Sequence, residues 1–441
     1  MKITRQRAWI LYGWANSAYA LPVLAAFFPI LFTEYWGATL SPSAAFSWLG
    51  AANSWAGFVV AVASPFAAAF ASTSGRRKSY LIFWALAGIV STAGLSLIGV
   101  NQWGASLALF VVSQVSFQLS VLFYDTLLYD VSTEQNRHLV SAKGFAYGYL
   151  GGVLLFLGNS AILRWHEQLP GIDGVYHAAK VSLICAAVWW LVFAQPLFCA
   201  NFTPKVKTPP PHRFRRSLAL LKDDLNILLG DRNILFFIIA YWFYINGVLT
   251  LISMSSGMAL AIGVSNSAVI VALIFVQFAA FPCSLLAGRA ASRGSARRVL
   301  LLLVGGYSIL VASSLFFLRG TYSFFLLALG VGMLQGGTQA VSRSYFLSLI
   351  PGEKQTSFFG IYSMVGRFSM ILGPAIISLI TYGLTQFFQY RYEYTLIHIY
   401  YARTLPVRAG FSSIALFFLI GWLFLYSIGT CSAGIENRAE A

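Results

Sequence analysis

Polar and charged side chains recur at helical spacing inside long apolar stretches of this sequence. Two stripes each carry a pair of glutamines four residues apart followed by one charged residue. They are Gln114, Gln118 and Asp125, and Gln335, Gln339 and Arg343. Inside a membrane such groups are costly unless they face a cavity or a partner, so each stripe predicts contact with a bound solute. Hydrogen bonding between helices, with no solute, is the other interpretation of the glutamines.

Three charges lie well within apolar segments: Asp125, Arg343 and Arg367. Asp125 and Arg343 each lie a few residues before the end of their span, and both spans end on the same side of the membrane. The two residues therefore lie at similar depth. We expect Asp125 to pair with Arg343 or Arg367 across two halves of the protein when that side closes. A structural pair within one half is the alternative.

The stretch from Trp9 to Trp36 has the length of a first transmembrane helix, because it runs uncharged to Glu34. Tyr12, Asn16 and Tyr19 interrupt it at intervals of four and three residues, which places them on one helix face. A membrane helix with such a polar face is expected to contact a solute path.

The composition is that of a membrane protein throughout. Hydrophobic residues make up 58% of the 441 residues and charged residues 10%, well under the average for soluble domains. Uncharged runs separated by charged or Pro/Gly-containing loops predict twelve spans. The predicted spans are 9–33, 46–71, 79–100, 105–129, 143–163, 178–200, 233–253, 264–288, 299–318, 323–348, 357–382 and 409–428.

Most of the basic residues fall in alternate loops. This positive-inside pattern predicts that both termini are cytoplasmic, in the cell (inner) membrane, and accounts for most of the net charge of +16. A role in nucleic-acid binding is therefore not expected, and contact with anionic lipid headgroups is secondary.

One long connection divides the spans into six and six. We predict an N-terminal half (1–200), a linker (201–232), a C-terminal half (233–428) and a cytoplasmic tail (429–441). The linker contains a triple-proline run and then leucines at helical spacing, with Ser217 as the expected N-cap of an amphipathic helix on the membrane surface. The glutamine stripes and the Arg-Arg pairs of the two halves recur at one separation, which indicates a repeat.

No enzyme or metal constellation is present in the sequence. The five histidines fall in or beside predicted loops, the four cysteines are isolated, and no phosphate-binding or dinucleotide motif occurs. We therefore predict a protein that is not an enzyme, with no catalytic residues, no metal and no organic cofactor.

Several motifs resemble those of a known family. Twelve spans with basic loops after spans 2 and 8 look like the major facilitator superfamily, and these loops contain Gly75, Arg76, Arg77, Arg297 and Arg298. The segments WILYGWANSAY (9–19), GYLGG (148–152) and GGTQAVSRSYF (336–346) are similar to the Unidentified Major Facilitator family. That family is related to autophagy-linked vacuolar amino-acid effluxers.

The resemblance implies a substrate path between two pseudo-symmetric six-helix bundles, lined by spans 1, 4, 7 and 10. The expected lining residues are Tyr12, Asn16, Tyr19, Gln114, Gln118, Tyr241, Tyr244, Asn246, Gln335 and Gln339, with Asp125, Arg343 and Arg367 as gate charges. The chain departs from the family where Gly13 and Asn246 replace usual acids. Proton coupling through an acid in span 1 or span 7 is therefore not expected.

These observations predict a secondary transporter that moves a small solute by alternating access. Because basic residues outnumber acids inside the membrane, an amino acid or another carboxylate-bearing metabolite is the expected substrate, and amino-acid efflux is the implied process. A coupling ion, the direction of transport and the oligomeric state stay open, with a monomer expected. The alternative from another class is a transport-inactive sensor or assembly factor with the same fold.

Overall fold

The computed structural model describes residues 3–169, 171–172, 174–202, 213–351, 354–391 and 396–429. The triple-proline run (209–211) and nearly all of the predicted tail (430–441) lie outside these residues. The described part is helical, with no β-strand.

The described residues of the first bundle form eight α-helices. They are α1 (Arg5–Ala18), α2 (Phe28–Leu31), α3 (Pro42–Ser74), α4 (Arg77–Leu95), α5 (Trp103–Thr126), α6 (Leu128–Val131), α7 (Arg137–Arg164) and α8 (Gly174–Cys199), with π-helical turns at Tyr19–Phe27 and Phe32–Trp36 and a 3₁₀ turn at His166–Gln168.

A linker helix and the second bundle follow. They comprise α9 (Arg213–Gly230), α10 (Arg232–Ala261), α11 (Asn266–Arg293), α12 (Ala296–Phe317), α13 (Thr321–Leu349), α14 (Gln355–Arg391), α15 (Leu396–Ser412) and α16 (Ala415–Tyr426).

Twelve of the described segments are long and apolar enough to cross a membrane, which confirms the predicted number. Some observed helices extend past the predicted bounds and others end short of them; α4, for instance, ends at Leu95 and α5 at Thr126. In contrast, α14 continues through Tyr382, where span 11 was expected to end, as far as Arg391. The last span joins the end of α15 to α16, from Thr404 to Tyr426.

The first span is not a uniform α-helix. It begins at Arg5, where the Thr4 hydroxyl accepts a hydrogen bond from the Arg7 amide, and widens into π-helical turns that contain Pro22. Proline has no amide hydrogen and its ring crowds the carbonyl one turn earlier, so the regular hydrogen-bond pattern cannot continue through it. The face that a residue presents therefore changes along this span.

The bundles meet where α7 packs against α11 and α13, and where α3 packs against α14. The hydrogen bonds between bundles include Ser141 Oγ to the Ala340 carbonyl at 2.7 Å, and a 2.8 Å contact of His138 Nδ1 with Ser344 Oγ. Both lie toward the end of the molecule that carries the loops 75–76 and 294–295. We call this end the basic end, and the bundles are closed together there.

Helix α9 corrects the predicted N-cap, because it begins at Arg213 and places Ser217 inside the helix. Ser217 Oγ is 3.3 Å from Thr73 Oγ1 of α3, so its hydroxyl attaches α9 to the first bundle. The leucines of α9 divide into two sets. Leu221 and Leu228 are buried against the protein, whereas Leu218, Leu225 and Leu229 are 44–68% exposed.

Candidate functional site

Arg343 of α13 extends from the second bundle into the first. Its Nη1 lies 2.6 Å from Asp125 Oδ1 of α5. Its Nε donates to Ser141 Oγ at 3.0 Å and its Nη2 donates to the Ser141 carbonyl at 2.9 Å. Of the two arginines considered from the sequence, Arg343 is thus the one that pairs with Asp125, and the pair joins the two bundles.

Three aromatic rings surround the same guanidinium. Its carbon lies 4.9 Å from the ring of Trp9, 5.5 Å from that of Tyr124 and 4.4 Å from that of Phe145. Trp9 is itself fixed, because its ring stacks on Tyr124 and its Nε1 donates to the Tyr124 carbonyl at 2.9 Å. Helices α1, α5 and α7 of the first bundle therefore form one aromatic cage for a cation of the second.

The Asp125–Arg343 pair is largely buried, so breaking it costs free energy. The side chains of Arg343 and Asp125 are 3% and 16% exposed. Removing one partner of a buried ion pair leaves an uncompensated charge, at a cost of about 3–5 kcal/mol. The pair therefore opposes separation of the bundles at the basic end.

Arg367 of α14 differs from Arg343, although both lie in the second bundle. Within the described residues it has no carboxylate within 4 Å. Its surroundings are phenolic: Tyr241 stacks on Tyr362 with ring centroids 4.0 Å apart, and a Cβ at the neighbouring Gly366 would lie 3.2 Å from Tyr241 Oη. Arg367 is therefore a membrane-embedded cation without a close ion pair among the described residues, and Asp125, which pairs with Arg343, acts on it only at longer range.

The glutamines of α13 face the first bundle. Gln339 Oε1 accepts a hydrogen bond of 2.9 Å from Tyr149 of α7, and Gln335 is buried one turn earlier. In α5, Gln114 and Gln118 are also buried, and Gln114 Oε1 has no hydrogen-bond partner. Both glutamine pairs are thus interior, and one of them takes part in the contact between bundles.

Two of the three polar residues predicted on one face of span 1 pack inside the first bundle in this structure. The Tyr12 ring packs on Tyr124 and Phe198, and the Tyr19 hydroxyl accepts a 2.9 Å hydrogen bond from Ser113 while its ring stacks on Phe117. Both tyrosines are packing residues inside the first bundle here. Only Asn16 of the three is partly exposed. Helical spacing predicted a shared face but not what that face contacts.

Span 7 contributes three interior polar residues. The Tyr244 hydroxyl donates to Ser342 Oγ at 2.7 Å, so it connects α10 to α13 within the second bundle. Asn246 Oδ1 accepts from Thr250 at 3.3 Å, whereas its buried Nδ2 has no partner. Tyr241 is the member of this group that lies near enough to Arg367 to interact with its charge.

The basic loops mainly stabilise helix ends. Gly75 ends α3 with φ of 67°, a left-handed conformation that favours glycine. Arg77 pairs with Asp130 at 2.7 Å and donates to the Thr126 carbonyl. In the second bundle Arg297 donates to the carbonyls of Leu425 and Tyr426.

Gly13 and the GYLGG motif form one close helix contact. A Cβ at Gly13 would lie 2.5 Å from the Gly144 carbonyl oxygen, and a Cβ at Gly148 would lie 3.2 Å from the Gly13 oxygen. Helices α1 and α7 approach this closely only because Gly13, Gly144 and Gly148 have no side chains. An acid at position 13 therefore does not fit the observed packing.

Several site residues were not identified from the sequence: Trp9, Tyr124, Ser141, Phe145 and Tyr149. Sequence spacing indicates which residues share a helix face, but these five act through contacts between helices that are distant in the chain. Within the described ranges, no group of three or more histidine, cysteine or acidic side chains could hold a metal ion.

Comparison with known proteins gives consistent similarities. A family model described as "Vacuole effluxer Atg22 like" matches residues 127–430. The chain is 34% identical to the uncharacterized MFS-type transporter YxiO of Bacillus subtilis, over 85% of this chain and 87% of that protein. It is 22% identical to autophagy-related protein 22 of Kluyveromyces lactis, over 76% of this chain and 72% of the relative.

Solved structures show the same fold at low sequence identity. The Escherichia coli fucose:proton symporter FucP superposes with a TM-score of 0.66 at 13% identity, over 96% of this chain and 97% of that one. The human organic anion transporter MFSD10 superposes with a TM-score of 0.63 at 14% identity, over 96% and 100%. These similarities confirm the resemblance predicted from the motifs, and they do not favour the transport-inactive alternative.

Proposed function

Because the chain belongs to the Atg22-like effluxer family, within the major facilitator superfamily of secondary transporters, we propose that it moves a small carboxylate-bearing solute, with amino acids as the leading class. It is a multi-pass membrane transporter and not an enzyme.

The observation that carries the substrate class is Arg367. An embedded guanidinium costs free energy unless it is paired, so an unpaired one in a transporter is expected to bind a group that the solute brings. No described carboxylate lies within 4 Å of it, and Asp125, which is bound to Arg343, acts on it only at longer range. Tyr241 is near enough to serve as a further hydrogen-bond donor. A solved structure of the same fold is named an organic anion transporter, and an organic anion has the same charge as a carboxylate.

The path lies between the bundles. Asn16, Gln114, Gln118, Gln335, Gln339, Tyr241, Tyr244 and Asn246 remain its proposed polar groups. The orphaned Gln114 Oε1 and Asn246 Nδ2 favour this, because buried polar atoms without partners are uncommon unless a solute or water satisfies them. Tyr149 joins the proposed set through its hydrogen bond to Gln339.

The Asp125–Arg343 pair is the proposed gate. With the pair formed, the basic end is closed and a solute reaches Arg367 from the opposite end. Opening the basic end separates Arg343 from Asp125 and Ser141. Alternating access thus becomes a competition between this pair and the open arrangement, in which water solvates both charges.

The topology follows from charge. The basic end faces the cytoplasm of the cell (inner) membrane in this proposal, which places both termini there. The halves are 1–200 and 233–428, and 201–232 connects them.

Uptake of labelled amino acids into proteoliposomes tests the substrate class. We expect uptake above that of empty liposomes, inhibited by carboxylates and not by neutral sugars or phosphate esters. Arg367→Gln should abolish it, and Arg298→Gln, which removes an exposed arginine at the basic end, should not. Uptake of a neutral sugar alone would contradict the proposal.

A further inference from the structure

A groove of about 630 Å³ opens on the outer surface of the first bundle at the basic end. Helices α3, α4, α5 and α9 form its walls. The walls are almost entirely apolar, and the residues that matter here are Phe66, Phe70, Tyr80, Phe83, Trp84 and Leu218. Phe66, Phe83 and Leu218 are 46%, 61% and 50% exposed, so the groove is open to its surroundings.

The groove is polar at only one end. Arg76, Ser79 and Ser217 line it beside the loop after α3. Phe83 is seven residues from Arg76 along α4, which at 1.5 Å per residue places it about 10 Å deeper in the membrane. The shape is therefore an apolar trough with a cationic end at the level where the span begins.

Arg76 is available for a ligand, whereas its neighbour is not. Arg77 is buried and pairs with Asp130. Arg76 is exposed, and its guanidinium forms neither an ion pair nor a hydrogen bond with the described residues. Arg215 and Arg216 of α9 are also exposed, one turn or less from Ser217 at the same end of the groove.

We infer that this groove binds an anionic glycerophospholipid, with an acyl chain along the aromatic wall and the phosphate on Arg76. In a bilayer the exposed apolar wall is covered by acyl chains, so the occupant is a lipid, and the three arginines select its charge. Because α9 forms one wall, the lipid also fastens the linker helix to the first bundle. The inference rests on the membrane placement and not on the proposed substrate.

Trp84 gives a direct test, because brominated lipids quench a nearby indole. The purified protein in detergent is titrated with brominated phosphatidylglycerol and brominated phosphatidylcholine. The chain has 12 tryptophans, so the groove signal is the quenching lost in Trp84→Phe. We expect this signal to reach half-maximum at a several-fold lower mole fraction of the glycerol lipid than of the choline lipid.

Two arginine variants locate the headgroup. Arg76→Gln should raise the required fraction of phosphatidylglycerol about fivefold, as expected for one basic contact at a membrane surface. Arg298→Gln removes an exposed arginine from the first turn of α12 and should leave the required fraction unchanged. Arg76→Lys keeps the charge and should retain the preference, which separates charge from misfolding. Equal quenching by both lipids, or no quenching that depends on Trp84, would overturn the inference.

Discussion

Arg343 and Arg367 both lie within membrane spans of the second bundle, but Arg343 is buried, Arg367 is partly exposed, and their surroundings differ. Arg343 has a carboxylate at 2.6 Å, two hydrogen bonds to Ser141 and three aromatic neighbours. Arg367 has no acid within 4 Å in the described part of the chain. A buried charge with all of its partners stabilises one arrangement of the protein, whereas one without them is available to bind something else. The difference is the basis for the proposed roles of Arg343 in the gate and of Arg367 in binding the solute.

Breaking the Arg343 pair should have the largest effect. Asp125→Ala or Arg343→Ala leaves the other charge buried alone, so we expect a loss of about 3–5 kcal/mol and loss of transport. Thermal unfolding and proteoliposome uptake measure the two effects. The double variant Asp125→Arg with Arg343→Asp should recover transport in part. If neither single variant lowers stability, the pair is not what closes the basic end.

Removing Arg367 should change stability in the opposite direction. Arg367→Gln removes an unpaired embedded charge, so the empty protein should become more stable, by at least about 1 kcal/mol, while uptake is lost. Thermal unfolding without solute checks this, with Arg343→Gln as the matched variant that should unfold earlier. Equal destabilisation by both substitutions would mean that Arg367 has a structural partner.

The contact between α1 and α7 holds the aromatic cage around Arg343 without touching Arg367. Gly13→Ala places a Cβ about 2.5 Å from the Gly144 oxygen, so we expect destabilisation of about 1–3 kcal/mol from overpacking. Gly57→Ala is the control, because a Cβ at Gly57 meets no atom within 4 Å. Unchanged unfolding of Gly13→Ala would show that the helices separate readily here.

The smallest expected effect concerns the linker helix, which lies outside the membrane-spanning segments. The Asp224 side chain is fully buried, and its Oδ1 lies 3.5 Å from Lys354 Nζ. Burial raises the pKa of the Asp224 carboxyl. Ser357 and Lys354 oppose this shift, and the neighbouring charge of Asp223 adds to it. Because the folded protein holds this proton more tightly than the unfolded chain, docking of α9 should weaken as pH rises above the usual aspartate pKa.

Hydrogen exchange of the α9 amides at pH 5 and pH 8, corrected for intrinsic rates, measures that dependence. We expect a few-fold greater protection at pH 5 in the natural protein and no difference in Asp224→Asn. Greater protection at pH 8 would show instead that the ion pair with Lys354 dominates.

The sequence was sufficient for the spans and for part of the site. Twelve apolar runs are detectable because a bilayer requires each to be long and uncharged. The charge pair was predicted only as a choice between Arg343 and Arg367, since depth along a helix does not determine lateral position. Tyr12 and Tyr19 were placed on the path because spacing gives a common face, yet that face packs within the first bundle. The sequence shows only that Gly13 stands where an acid is usual in the family. The close approach of Gly13 to Gly144 gives the reason, because a side chain at position 13 would collide with α7.

The difference between the two arginines can be measured through ligand charge. The dissociation constant of a bound amino acid is compared with that of its amide, which lacks the carboxylate, in the natural protein, Arg367→Gln and Arg343→Lys. A charge-assisted contact predicts that the natural protein and Arg343→Lys prefer the acid by about 10- to 100-fold, and that Arg367→Gln does not. Full preference in Arg367→Gln would contradict the account.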